Sequence, residues 1–539
     1  MNWTPGTPTL ETRGSRSVAL GQKGMVATSQ PLASVAGLDV LRQGGNAVDA
    51  AITAAAVLTV VEPTMTGVGG DLFALLHAGG DGRTHGLNAS GRTPAAASLE
   101  ALRARGHEQM PDTGLFPITV PGAVDGWARL LAEHGTISLA DALGPAIGCA
   151  RDGFPVSEVV ARQWQDAAGL LAADPAAADT FLPDGRPPAP GERFSNPRLA
   201  ASLSAIAAEG PTVFYAGALA DAIGQDIERR GGWLTAGDLA MHESDSVDPI
   251  RTSFRDTELV ELPPNTQGFV ALEALNILAD EPLEAFGHNS TDYLHLVLEA
   301  LAIAFDDRAA HLADADAMPA GTLARLISKE YATGRRDQFR TDRALGQSVP
   351  DPTPNDRQAG DTVYLAAADD QGNLVSLIQS LYAGFGSGIV AGETGIVLHN
   401  RGAMFSTDPE HPNVLAPSKR PLHTLAPALA YRDGRPWLAY GVMGGDMQPQ
   451  GHLQVLLNLV CFGMNIQEAG EAPRARYDPS GISLEEGIDE GVLRELVSRG
   501  HQVGPDLGFG GFQGVLVDQH SGVLMGGSDP RKDGVALGW

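Results

Sequence analysis

Within residues 360–400 the 539-residue chain sets a threonine and a serine where they could share a proton. Val363, Leu365 and Ala367 alternate with Tyr364 and Ala366, residues 369–373 are turn formers, and 374–378 are strand formers again, so the spacing predicts a β-hairpin. With the loop centred on Gln371, antiparallel register puts Thr362 across from Ser380, and opposed side chains lie about 4.5–5.5 Å apart at Cβ. A threonine hydroxyl is a weak nucleophile until a base takes its proton, and the α-amino group of a chain-terminal threonine can be that base. Such an amine titrates at about 7.7–8.0, against about 10.4 for lysine. In an intact chain this nitrogen is an amide, so the chemistry demands cleavage between Asp361 and Thr362. The charged, Pro-rich residues 335–361 lead into that junction and read as an exposed, cleavable linker.

The elements that must hold the hairpin are legible on both sides of it. The patterns predict a strand at 25–27, an amphipathic helix over Pro31–Arg42 stopped by Gly44-Gly45, and a buried Ala-rich helix over Ala47–Val61. A strand at 72–76 follows the glycine turn 67–70. That turn matches neither G-x-G-x-x-G nor a phosphate loop, whose Lys-Ser/Thr is missing, so nucleotide binding is not expected. Residues 99–314 read as mostly helical, with periodic segments at Ala123–His134, 199–209, Ala218–Arg229 and 293–308. His242, His288 and His295 are irregularly spaced, without H-E-x-x-H or a comparable pattern, and read as surface or packing residues rather than metal ligands. No serine has glycines two residues away on both sides, which disfavours nucleophile-elbow hydrolases.

Composition bounds the remaining classes. The 37 Lys+Arg against 65 Asp+Glu give a net charge of −28, which argues against nucleic-acid binding and favours solubility. Cys149 and Cys461 are too few for a disulfide framework and read as two buried thiols. Residues 1–17 lack a basic and then apolar leader, and the longest apolar stretch, around 50–61, falls short of the ~20 residues of a membrane span. The expectation is a cytoplasmic protein without membrane contact.

Several ordered blocks carry a resemblance: Gly24-Met25-Val26-Ala27, Gly44-Gly45-Asn46-Ala47-Val48-Asp49-Ala50, Thr66-Gly67-Val68-Gly69-Gly70-Asp71, Val120-Pro121-Gly122-Ala123, Leu262-Pro263-Pro264-Asn265-Thr266-Gln267-Gly268 and Asp529-Pro530-Arg531-Lys532-Asp533-Gly534. With the hairpin they resemble the γ-glutamyltranspeptidase family of N-terminal-nucleophile hydrolases over nearly the whole chain. The resemblance implies an α+β fold, a four-layer αββα sandwich, built from a self-cleaving precursor: large subunit 1–361, small subunit 362–539. It implies Thr362 as nucleophile, Ser380 orienting it, and the Gly444 and Gly445 amides as oxyanion hole. Arg92 would clamp the substrate carboxylate, with Arg401, Tyr382, His423 and Thr424 as further substrate-binding candidates. Asp306-Asp307-Arg308 resembles a structural motif of the family and is expected to pair at a helix end.

Against the family it resembles, this chain departs where a glutamyl donor would bind: Met404 stands where relatives use an acidic residue for the ammonium, Arg401 where they usually carry a neutral polar one, and His423-Thr424 where transpeptidases carry paired serines that hold the donor carboxylate. The sequence therefore points to amide bonds of small acyl groups that carry a carboxylate, with γ-glutamyl, glutaryl-like and oxamate-like donors all open. A true γ-glutamyltranspeptidase or glutathione hydrolase, and an uncleaved binding protein, remain the alternatives. No cofactor is called for; the expected partners are the small-molecule amide and the two fragments of one precursor, with dimerisation of that pair left open.

Overall fold

Alternation along one central strand divides the core. In Asp361–Asp369, Val363, Leu365 and Ala367 enter one apolar cluster, while Tyr364, Ala366 and Ala368 enter another. The computed structural model describes residues 16–346 and 361–539, with the backbone alone at Asp361. Residues 1–15 and 347–360, on which part of the leader and linker readings fall, lie outside the described residues.

Two seven-stranded antiparallel sheets organise these clusters. One runs in the order Val535–Gly538, Gly24–Thr28, Asp361–Asp369, Leu374–Tyr382, Asp71–Ala78, Arg83–Ala89, Asp245–Val247. The other runs Ala19–Gly21, Leu524–Ser528, Phe512–Val517, Arg435–Val442, Ala428–Arg432, Thr257–Glu261, Ile250–Phe254. Tyr364, Ala366 and Ile378 from the first sheet share a cluster with Ala439, Met443 and Val515 from the second. The helix Ala47–Val61, buried at every position, covers the first sheet, and Phe269–Ile277, Thr291–His311 and Met447–Val460 pack with the second. The chain is thus a mixed helix-and-sheet fold.

Helices at Pro31–Arg42, Ala47–Val61, Ala123–His134 and Ala218–Arg229 keep the predicted bounds, because caps and breakers set their ends: Asn46 makes a capping box with Asp49, and Gly44 takes φ +96° after the first helix. Three corrections follow from packing. The mostly helical reading of 99–314 misses the strands Asp245–Val247, Ile250–Phe254 and Thr257–Glu261, which complete both sheets with inward Thr252, Phe254 and Leu259. The linker does not begin at 335, since Ser328 caps a helix over Lys329–Arg336 whose Ala332 is buried. Cys149 and Cys461 are half-buried rather than buried. Among the described residues, no helix is long and apolar enough to cross a membrane.

Candidate functional site

The hairpin register is the one expected, with Val363 opposite Gln379 through Ala368 opposite Leu374. It breaks at the open end, where Asp361 pairs with Tyr382, so Thr362 faces a bulge that holds Ser380 and Leu381. The bulge turns both hydroxyls together: Thr362 donates toward Ser380 Oγ across 3.4 Å. Ser380 Oγ also accepts from the Tyr382 amide at 2.7 Å, which fixes its position. Tyr382 takes φ +84°, a costly conformation for an aromatic residue and one that clusters at functional sites. Asp361 and Thr362 are joined in one strand, so the Thr362 nitrogen is an amide here. Thr362 and Ser380 are buried.

The glycine turn 67–70 earns its composition by proximity rather than by phosphate binding. A Cβ on Gly70 would stand 2.5 Å from the Ser380 carbonyl oxygen, so only glycine lets this turn back the strand that carries Ser380. Directly after it, Asp71 pairs with Ser380 in the sheet. Its carboxylate accepts from Gly91 N at 3.1 Å, Gly122 N at 3.3 Å and His423 Nε2 at 3.0 Å, with His399 Nδ1 3.3 Å away. These histidine contacts outweigh burial and hold Asp71 ionised, far below the usual carboxylate range. The Leu425 amide donates to His423 Nδ1 at 3.2 Å, so the ring proton sits on Nε2 and points at Asp71. Burial, then the nearby Arg401, push His423 down to about 3, and the ring is neutral.

From His423 the contacts continue to the double glycine. Gln267 Nε2 donates to the carbonyls of Thr424 at 2.9 Å and Gly445 at 3.0 Å, bridging the two segments. Arg308, in the last turn of Thr291–His311, donates to Gln267 Oε1 at 2.6 Å and to Asp446 Oδ2 at 3.1 Å. Asp446 directly precedes the helix Met447–Val460 and makes no side-chain capping bond to it, so Arg308 pairs at a helix end as expected, and its charge outweighs burial to keep Asp446 ionised. Gly444 and Gly445 have φ +111° and +58°, and a Cβ on Gly444 would lie 3.0 Å from Gly510 Cα. Neither glycine amide has an acceptor among the described residues. On the facing sheet, the Tyr364 ring occupies the place of a Gly441 Cβ, which packs the strand of Thr362 against the strand leading into this turn.

Arg401 is the unusual charge of the site. It is 0 % exposed, its guanidinium lies 4.3 Å from the Tyr382 ring centroid, and Nη1 donates to Thr424 Oγ1 at 2.8 Å. Nε and Nη2 have no hydrogen-bond partner among the described residues, and no carboxylate pairs with the group. Burial lowers it to about 10, so it remains a cation at neutral pH. Met404, also buried, lies in the same 3-10 turn Arg401–Met404.

Two of the expected substrate-binding residues have protein partners. Arg92 Nη1 pairs with Asp314 at 3.0 Å and the Ser418 carbonyl at 3.4 Å, and the residue lines a cleft of about 410 Å³ with Asp238, His242 and Asp245. His423 turns to Asp71 rather than to open space, because a neutral, desolvated ring finds its best acceptor there. Asp71, Gln267 and His399 were not singled out as site residues, since their partners lie far away in sequence and no local spacing marks them. Arg308 and Asp446 are 138 residues apart.

The family model described as Gamma-glutamyltranspeptidase matches residues 33–539. The glutathione hydrolase-like YwrD proenzyme of Bacillus subtilis (strain 168) is 38% identical over 530 residues, covering 96% of this chain and 99% of that protein. The oxamate amidohydrolase proenzyme of Klebsiella pneumoniae subsp. pneumoniae is 35% identical over 532 residues, covering 96% and 98%. The crystal structure of cephalosporin acylase from Bacillus halodurans matches with a TM-score of 0.92 at 42% identity, over 100% of this chain and 99% of that one.

Proposed function

The chain belongs to the gamma-glutamyltranspeptidase family, and from that premise we propose a self-cleaving threonine amidohydrolase and acyltransferase whose acyl donor carries a carboxylate but no ammonium. Its relatives are named as proenzymes, hydrolases and acylases, which supports both the processing and the reaction class. We read the paired sheets between helices as a four-layer αββα sandwich, with a large subunit 1–361 and a small subunit 362–539.

In this mechanism Thr362 Oγ1 first attacks the Asp361 carbonyl carbon, moving that acyl group from nitrogen to oxygen. Water hydrolyses the resulting ester, leaving an Asp361 carboxylate and a free Thr362 amine. That amine now takes the hydroxyl proton as Oγ1 attacks the substrate amide. Ser380 positions the nucleophile, and the amides of Gly444 and Gly445 receive the developing oxyanion. The departing amine receives the proton held by the Thr362 nitrogen, and water or an acceptor amine then cleaves the ester.

Arg401 carries the substrate assignment. A buried guanidinium with two unpartnered N–H edges suits a carboxylate bidentately. The same cation repels a substrate ammonium, and the nearby acids are engaged: Asp71 by His423, Asp446 by Arg308. Glutaryl-p-nitroanilide and γ-glutamyl-p-nitroanilide share an acyl length and differ in the ammonium, so kcat/KM on the pair is the direct test. The glutaryl donor should be preferred at least about tenfold, a 1.4 kcal/mol difference; preference for the γ-glutamyl donor would overturn the assignment and favour a true transpeptidase.

A further inference from the structure

Remote from the threonine, the structure gathers three residues that sequence spacing alone does not join. His295 and Glu299 stand four apart on one face of the helix Thr291–His311, and His501 arrives just after the helix Glu490–Ser498. All three are buried, and one potential ligand atom from each lies within 4.8 Å of the others. We propose that His295, Glu299 and His501 form a divalent-cation site of the zinc class, joining residues on both sides of the Asp361–Thr362 junction.

Each of the two helix residues has its outer atom held so that the inner one is free to ligate. His295 Nε2 sits 2.6 Å from the Arg340 carbonyl, which can only accept, so Nε2 carries the proton and Nδ1 keeps its lone pair. A backbone carbonyl on the distal nitrogen is the usual support of a metal-bound histidine. The Leu345 amide donates to Glu299 Oε2 at 2.8 Å, leaving Oε1 toward His501 Nε2 at 3.9 Å. His295 Nδ1 and His501 Nε2 are 2.8 Å apart, the distance of a hydrogen bond between neutral rings. Ligands of a tetrahedral zinc ion, each about 2.0–2.1 Å from the metal, stand about 3.3 Å from one another. Entry of the ion therefore requires small side-chain rotations, with the His501 proton moving from Nε2 to Nδ1.

The surroundings suit a cation. Two imidazoles and a carboxylate are a donor set typical of zinc with a fourth position open. A cavity of about 80 Å³ adjoins the group, lined by Glu299, His501, Tyr477 and Asp478, and has room for a water in that position. The nearby Arg499 is already paired, with Asp292 at 2.6 Å and Glu495 at 3.2 Å. The ion also fastens residues 340–345 through its supporting contacts. Stapling the two fragments after cleavage rests on the proposed processing; zinc binding itself does not.

The test uses the purified full-length protein, stripped with a chelator, titrated with Zn²⁺ against a chromophoric competitor, and assayed for bound metal after desalting. About one zinc ion per chain is expected, with affinity at least about tenfold weaker in His501→Ala and in Glu299→Gln. The glutamine variant preserves shape and can still accept from Leu345, so it carries the comparison if the alanine variant does not fold. Absence of competitive binding by the wild type, or equal binding by wild type and Glu299→Gln, would overturn the site. Neither result touches the threonine chemistry, which the anilide assay reads separately.

Discussion

Replacing Arg401 with methionine should separate substrate recognition from folding. Burial lowers this guanidinium to about 10, a displacement that corresponds to about 3 kcal/mol of solvation not recovered from the protein. Thr424 and the Tyr382 ring supply part of its environment, while Nε and Nη2 find no acceptor. A substrate carboxylate at those two edges would recover about that amount, and 3 kcal/mol is a little over a hundredfold in rate. Arg401→Met should therefore lower kcat/KM for glutaryl-p-nitroanilide about a hundredfold. Removal of a buried charge with no carboxylate partner should leave the melting temperature unchanged or raised, as for other buried charges replaced by apolar residues of similar volume. The γ-glutamyl donor should lose much less, because the same change removes a repulsion. The assay is steady-state hydrolysis of both anilides by enzyme shown on a denaturing gel to be cleaved like wild type. Glutaryl activity within about threefold of wild type in such a cleaved, folded variant would refute the reasoning.

Thr362→Ala should run as one uncut chain and be inactive, whereas wild type should give two bands at about two-thirds and one-third of the mass, as cleavage before residue 362 of 539 requires; an alanine variant that still splits at this junction would remove threonine from the processing step. Gly444→Ala forces φ +111° on a residue with a Cβ, which must stand 3.0 Å from Gly510 Cα, and should cost about 10²–10³ in kcat among molecules that are cleaved. His423 is held near 3 when folded against about 6.5 unfolded, so the unfolded chain binds the extra proton between those values. Its contribution to stability is complete above about pH 6.5 and lost as pH falls through that window; thermal melting across this range should fall less steeply in His423→Gln, and equal slopes would contradict the neutral assignment.

How much of this was legible beforehand depends on the range of each interaction. The hairpin, its register and the bounds of four helices follow from period, turn residues and caps, all of which act within a few residues. Thr362 and Ser380 could be paired on paper because an antiparallel register is arithmetic once a turn is located; the bulge that brings their hydroxyls to 3.4 Å was not visible. The strands within 245–261 carry no comparable local signal, because they are completed by strands far away in sequence while their neighbours along the chain are helical.

By itself, then, the sequence determined the hairpin that carries Thr362 and Ser380, the double glycine 444–445 and the presence of Met404 close to Arg401, since these are choices of residue type at fixed positions. Only the tertiary structure decided which charges are already spent. Arg92 and Arg401 look alike in a sequence, yet one meets Asp314 and the other is sealed in with unpartnered N–H groups. His423 faces Asp71 across 352 residues, and His501 reaches His295 across 206. Residue type sets what a side chain is able to donate or accept, whereas burial and neighbours brought together by folding determine which of those capacities is left for a ligand.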